Sequence, residues 1–204
     1  MQKKSTIRLI LAVLLLTFGI TTQAEIKTIK DVLGREVNVD VPVKNAVLGF
    51  YYPDYIAVTG VENFKYVKGI SREFWEKFNP GSWALFSEKI PELKNIADIG
   101  NVYTGTFSTE KTLALKPDVL ILAEWQYQTI GSELPKLEQA GVPIIVVDFN
   151  AQSVERHTQS AKIFGQLAGT EERANKIADE YAQGITDIQK RVKEANLPKP
   201  KIYV

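Results

Sequence analysis

Short runs of consecutive apolar residues alternate along this chain with longer stretches in which apolar positions recur at helical spacing. Ala46-Val47-Leu48, Val119-Leu120-Ile121-Leu122 and Ile144-Ile145-Val146-Val147 have the length and branched content of strands buried on both faces. Between and after them the spacing predicts helices over Pro53–Thr59, Ser71–Phe78, Ser108–Leu115, Ile130–Ala140 and Ser153–Ala168. Ser108 stands where its side chain can cap the third of these, and Lys116-Pro117-Asp118 stops it before the Val119 strand. Gly141-Val142-Pro143 plays the same part before Ile144. Strand and helix taking turns predicts an α/β lobe of three layers, a mostly parallel sheet with helices on both faces.

The two ends depart from this rhythm. Ile26 and Thr28, then Val37, Val39 and Val41, alternate with other residues around the turn Asp31-Val32-Leu33-Gly34-Arg35, which reads as an N-terminal β-hairpin. Its first arm is the weaker pattern, because Ile29 falls on the face opposite Ile26. At the other end, Thr170 is placed to cap a long helix, in which Ala174, Ile177, Ala178, Tyr181, Ile185, Ile188, Val192 and Ala195 form one apolar stripe. About 25 residues at ~1.5 Å each give a rod of about 38 Å. Asn196-Leu197-Pro198-Lys199-Pro200 breaks it, and Lys201-Ile202-Tyr203-Val204 reads as the start of another strand. The expected organisation is therefore residues 25–169 as one lobe, 170–196 as a connecting helix and 197–204 as the beginning of something further.

Composition narrows the setting. Of 204 residues, 45% are apolar and 24% charged, the balance of a packed globular protein. A formal net charge of +1 gives no field that would hold nucleic acid. Lys3, Lys4 and Arg8 precede an apolar run from Leu9 to Ile20, closed by Thr22-Gln23-Ala24. That is the form of a cleavable signal peptide over residues 1–24, since the run is too short for the ~20 residues of a permanent span. The expectation is a periplasmic protein with no stable membrane anchor after cleavage. The chain has no cysteine, which removes disulfides and thiolate chemistry and carries the further expectation that the product is not a lipoprotein.

Four segments then resemble one family, the periplasmic binding proteins of the iron-siderophore and vitamin B12 importers. They are Thr28 to Val37; Ile99-Gly100-Asn101 with Ser108 to Val119; Ala140 to Val147; and Gly165 to Ala174. The resemblance implies a Rossmann-like N-terminal lobe and a long interlobe helix, with the second lobe missing, as in a truncated form. It further implies a monomeric solute-binding component of an ABC importer that hands its ligand to the membrane permease subunits. Glu88 and Glu92 are the acidic residues expected to dock on that permease.

In parallel α/β sheets ligands sit at the carboxyl ends of the strands, where this sequence places aromatic residues repeatedly. The ligand-binding candidates are Tyr51, Tyr52, Arg72, Trp83, Asn101, Tyr103, Trp125 and Asn150. Stiff aromatic surface suits a bulky, partly apolar metal chelate, and Arg72 offers a fork for an anionic group. A single histidine, His157, cannot build a bare-metal site, so no cofactor is expected and any metal should arrive inside its chelator. An iron-siderophore complex is the first expectation, with cobalamin, haem or molybdate as alternatives. Catalysis is not expected, there being no Gly-rich phosphate loop and no Gly-x-Ser-x-Gly elbow; an exported α/β hydrolase-like enzyme is the alternative class.

Overall fold

The computed structural model describes residues 25–151, 153–198 and 201. The expected signal peptide, and all of the expected final strand but Lys201, lie outside the described residues. Two strands, β1 (Glu25–Lys30) and β2 (Glu36–Val41), form the hairpin with antiparallel register Glu25 opposite Val41. The first arm forms with Ile29 as its buried residue and Ile26 facing solvent.

The remainder builds a five-stranded sheet from β3 (Ala46–Leu48), β4 (Val67–Ile70), β5 (Ala97–Asp98), β6 (Val119–Ala123) and β7 (Ile144–Val147). Its order is β5-β4-β3-β6-β7 and every pairing in it is parallel. The chain therefore steps outward from β3 to β5 on one side, then returns to lay β6 and β7 on the other. This reversal between β3 and β6 is a topological switch point, where successive connections leave the sheet toward opposite faces and open a crevice.

Helices connect the strands: α1 (Tyr52–Thr59), α2 (Arg72–Phe78), α3 (Pro80–Lys89), α4 (Thr109–Ala114), α5 (Glu124–Thr129), α6 (Glu133–Gln139), α7 (Val154–Ala168) and α8 (Glu171–Ala195). Side chains alternate across the pleat, so Val47, Leu120 and Leu122 pack with Leu137 in one core. Leu48 and Ile121 pack with Tyr55 and Phe164 in the other. Two cores on two sheet faces make the three layers.

Two further segments are helical. Asn79-Pro80-Gly81, a composition that would also suit a turn, opens α3, because proline suits the first turn of a helix where no N–H is needed. The segment after β6 enters α5 with no intervening loop. The expected cap holds at Ser108, and Ser153 caps α7 in the same way; their hydroxyl oxygens each accept an N–H at 3.2 Å, from Lys111 and Arg156. Thr170 does not cap α8; its hydroxyl is buried without a partner, and the chain there is held by its N–H on Gly165 O at 2.8 Å.

Polar contacts fix where α8 begins. Lys27 Nζ donates to Glu171 Oε1 at 2.9 Å, and Arg173 donates to the carbonyls of Val58 and Ala57 at 3.0 and 2.9 Å, closing the end of α1. Ala174 and Ala178 are buried, and the Tyr181 ring stacks on His157 with centroids 5.1 Å apart. Beyond that point the stripe is open, with Ile188 55% and Val192 68% exposed.

Candidate functional site

All five parallel strands run out at one end of the sheet, and one residue from beyond each of them reaches a common depression of about 280 Å³. Its lining is Phe50 after β3, Phe74 from α2 after β4, Tyr103 after β5, Trp125 from α5 after β6 and Asn150 after β7. The depression lies over the switch point, where the fold opens its crevice.

The aromatic lining is braced from beneath. The Phe50 ring meets Phe74 at 5.4 Å, Trp75 at 5.0 Å and Trp125 at 5.4 Å between centroids, the last edge-on, a favoured arrangement for ring quadrupoles. Phe78 stacks on Phe74 at 5.1 Å. Tyr103 is 76% exposed and stands at the rim.

Backbone geometry beneath the rings is fixed by buried polar groups. Gly49 O accepts from Ser71 Oγ at 2.5 Å and from Gln126 Nε2 at 3.0 Å, while Gly49 N–H donates to Ile121 O at 2.8 Å. Three strand ends are thus tied at one glycine, and a Cβ there would lie 2.5 Å from Gln126 Oε1 and 2.8 Å from Leu122 Cδ2. Asp98 Oδ1 accepts from the N–H groups of Glu73 and Gly100, which joins the start of α2 to the end of β5. Asn101 Oδ1 accepts from Tyr103 N–H at 2.7 Å, and its carbonyl accepts from Thr106 and Phe107. Asp148 Oδ1 accepts from the N–H groups of Asn150 and Ala151 at 2.9 and 3.0 Å.

Of the residues the sequence singles out, Tyr103, Trp125 and Asn150 meet in the depression. Asn101 lies under it, buried, shaping the turn that carries Tyr103. Tyr51 is buried against Phe50 and Phe149, and burial holds its phenol well above the ordinary tyrosine range. Tyr52 is not on the floor. Its ring is enclosed by Phe64, Trp75, Trp83 and Phe86, and burial pushes its phenol up to about 12, with Ser82 tempering the shift. Trp83 belongs to the same packing. Arg72 is held elsewhere: its guanidinium donates to the carbonyls of Lys94 and Ile96 at 3.3 and 3.2 Å and pairs with Glu76 at 3.5 Å.

Glu88 and Glu92 lie in α3 and in the turn Pro91–Asn95 that leads into β5, at the amino-terminal edge of the sheet, opposite the aromatic floor. Both are exposed. Phe50 and Phe74 complete the floor and are absent from the sequence-based candidates. Phe50 was readable as the first residue past β3; Phe74 needed the phase of α2, which buries Trp75 and turns its neighbour outward.

A second depression of about 250 Å³ lies between α1, α7 and α8, lined by Asp54, Phe149, His157 and Tyr181 among others. Burial raises the Asp54 carboxyl above its usual range and His157 offsets part of that. The His157 Nε2 lies 2.7 Å from Ala151 O.

Comparison with known proteins places this arrangement. The TroA-like periplasmic binding protein FepB of Veillonella parvula superposes with a TM-score of 0.76 at 30% identity, over 86% of this chain and 52% of that one. The molybdate-binding MolA of Haemophilus influenzae shares the fold with a TM-score of 0.61 at 16% identity, over 74% of this chain and 49% of that one. In Bacillus subtilis an uncharacterized ABC transporter substrate-binding lipoprotein, YvrC, is 26% identical over 102 residues, 50% of this chain and 31% of that protein. The chain thus spans about half the length of the solved relatives and less of the curated one. The profile of the periplasmic binding protein family matches residues 81–204, and the chain belongs to that family.

Proposed function

We propose that this chain forms one ligand-binding wall of an extracytoplasmic solute-binding component of an ABC importer, and that its solute is a metal chelate of the iron-siderophore kind. The observation that carries the reading is the convergence of five strand ends on one depression, four of whose five lining residues are aromatic. A wall of this type captures a bulky ligand reversibly and does no chemistry on it. The family match and the substrate-binding relatives support the class. Residues 1–24 are proposed as the export signal, and α8 as the link to an opposing wall.

Tryptophan fluorescence titration tests the reading. Ferric hydroxamates or catecholates should quench Trp125 saturably, and mass spectrometry should return the chelate unchanged. Haem, cobalamin and molybdate form the comparison panel, and a response to one of these alone would replace the iron-chelate assignment.

A further inference from the structure

We propose that the second depression, between α1, α7 and α8, is a binding site for a small organic ammonium ion, separate from the aromatic floor. The two depressions share no lining residue, and Phe149 and Asn150, neighbours in the chain, line different ones. The inference therefore stands apart from the chelate-binding reading.

The site is a carboxylate set among rings. Asp54, in the first turn of α1, lines the depression together with Phe149, His157 and Tyr181. The imidazole lies nearly parallel to the Tyr181 ring, with centroids 5.1 Å apart, and meets Phe149 edge to face at 5.7 Å, so the three rings form one continuous wall. Ala57, Ala161 and Ala178 leave the space open, because none carries an atom beyond Cβ. A volume of about 250 Å³ falls just below the ~300–1,000 Å³ of pockets for drug-sized ligands, which calls for a small occupant.

The carboxylate decides the sign of the ligand. Asp54 joins none of the ion pairs formed among the described residues, and no lysine or arginine lines the depression. His157 is the one lining group able to become positive, and it is already engaged. Its Nε2 lies 2.7 Å from Ala151 O; a carbonyl only accepts, so Nε2 carries the proton and donates there. His157 offsets only part of the cost of burying the carboxylate. An ammonium ion beside Asp54 relieves the remainder through a charge-assisted hydrogen bond, and the Phe149 and Tyr181 rings add attraction for the same cation. A neutral molecule of equal shape obtains neither gain, and an anion is repelled.

The test is calorimetric titration of the full chain with benzylamine, as its ammonium ion near neutral pH, beside benzyl alcohol and benzoate, which keep the ring and change the charge. The expected result is saturable binding of the ammonium ion roughly tenfold or more tighter than the alcohol, and no binding of benzoate. Asp54→Asn should erase the preference for the cation. Ala57→Leu, which fills the depression from an exposed position and keeps the charge, should weaken the ammonium ion and the alcohol alike; circular dichroism checks that both variants fold. Benzyl alcohol binding as tightly as the ammonium ion, a preference that survives Asp54→Asn, binding indifferent to Ala57→Leu, or no saturable response overturns the assignment. The chelate titration reads the other depression and stands or falls separately.

Discussion

Gly165 of α7 and Ala174 of α8 meet so closely that a Cβ built on Gly165 would lie 2.4 Å from the Cβ of Ala174 and 3.2 Å from the Cα of Glu171. The two helices cross in contact because the glycine has nothing to present. Gly165→Ala forces α8 outward or leaves an overpacked contact, and the expected loss is about 1–3 kcal/mol. Urea unfolding monitored by circular dichroism checks it, and Gly184→Ala, at an open position on α8, should show no such loss.

Asp31 is fully buried and gathers the hairpin onto the sheet. Its carboxylate accepts from the N–H groups of Leu33 and Arg35 at 3.0 Å, from the Arg35 guanidinium at 2.6 Å and from Val146 N–H at 3.3 Å. Asp31→Ala leaves Arg35 without its partner and should lower stability by about 3–5 kcal/mol. Chemical denaturation of the variant beside Arg35→Met, which removes the opposite charge, gives the comparison.

Alkali should unfold the protein through its buried phenols. Tyr51, Tyr52 and Tyr55 all have ionisations raised by burial, Tyr52 to about 12. A group whose folded value lies above its unfolded value of about 10 contributes stability that is complete below pH ~10 and is lost as pH climbs toward the folded value. Stability measured between pH 8 and pH 12, as order-of-magnitude bounds on that window, should be level and then fall. Tyr52→Phe, which gives up no more than the contact with Ser82, should flatten the fall with little change in the stability of the neutral protein.

Tyr103 separates binding from folding. With 76% of its surface exposed, Tyr103→Ala should change stability by no more than about 0.5 kcal/mol. If the depression is the ligand floor, the same change should weaken chelate binding roughly tenfold, a loss of about 1.4 kcal/mol. Paired thermal melts and fluorescence titrations read both quantities.

Much of this was legible in the residues themselves. The runs at Ala46, Val119 and Ile144 announced strands because both-face burial leaves no polar position, and the α8 stripe announced its full length. What was not legible was direction. Three aromatics follow β3 in a row, and the backbone at Tyr51, φ −33° and ψ 47°, sends Phe50 to the floor, Tyr51 against Phe149 and Tyr52 into an enclosed core. Composition cannot distinguish these fates, because they depend on where α1 begins. Arg72 and Trp83 were misplaced for a similar reason: each sits in or beside a helix whose phase is set by tertiary packing, and α3 was hidden behind a proline that reads equally as a turn.

Phe50, Phe74, Tyr103, Trp125 and Asn150 belong to five separate connections of one rigid sheet. Phe50 touches both Phe74 and Trp125, so a change there reaches its neighbours, whereas a substitution at Tyr103 on the rim alters a single tile of the mosaic. Ligand preference in such a protein can drift at the rim with little risk to folding, while the interlocked rings beneath change only together.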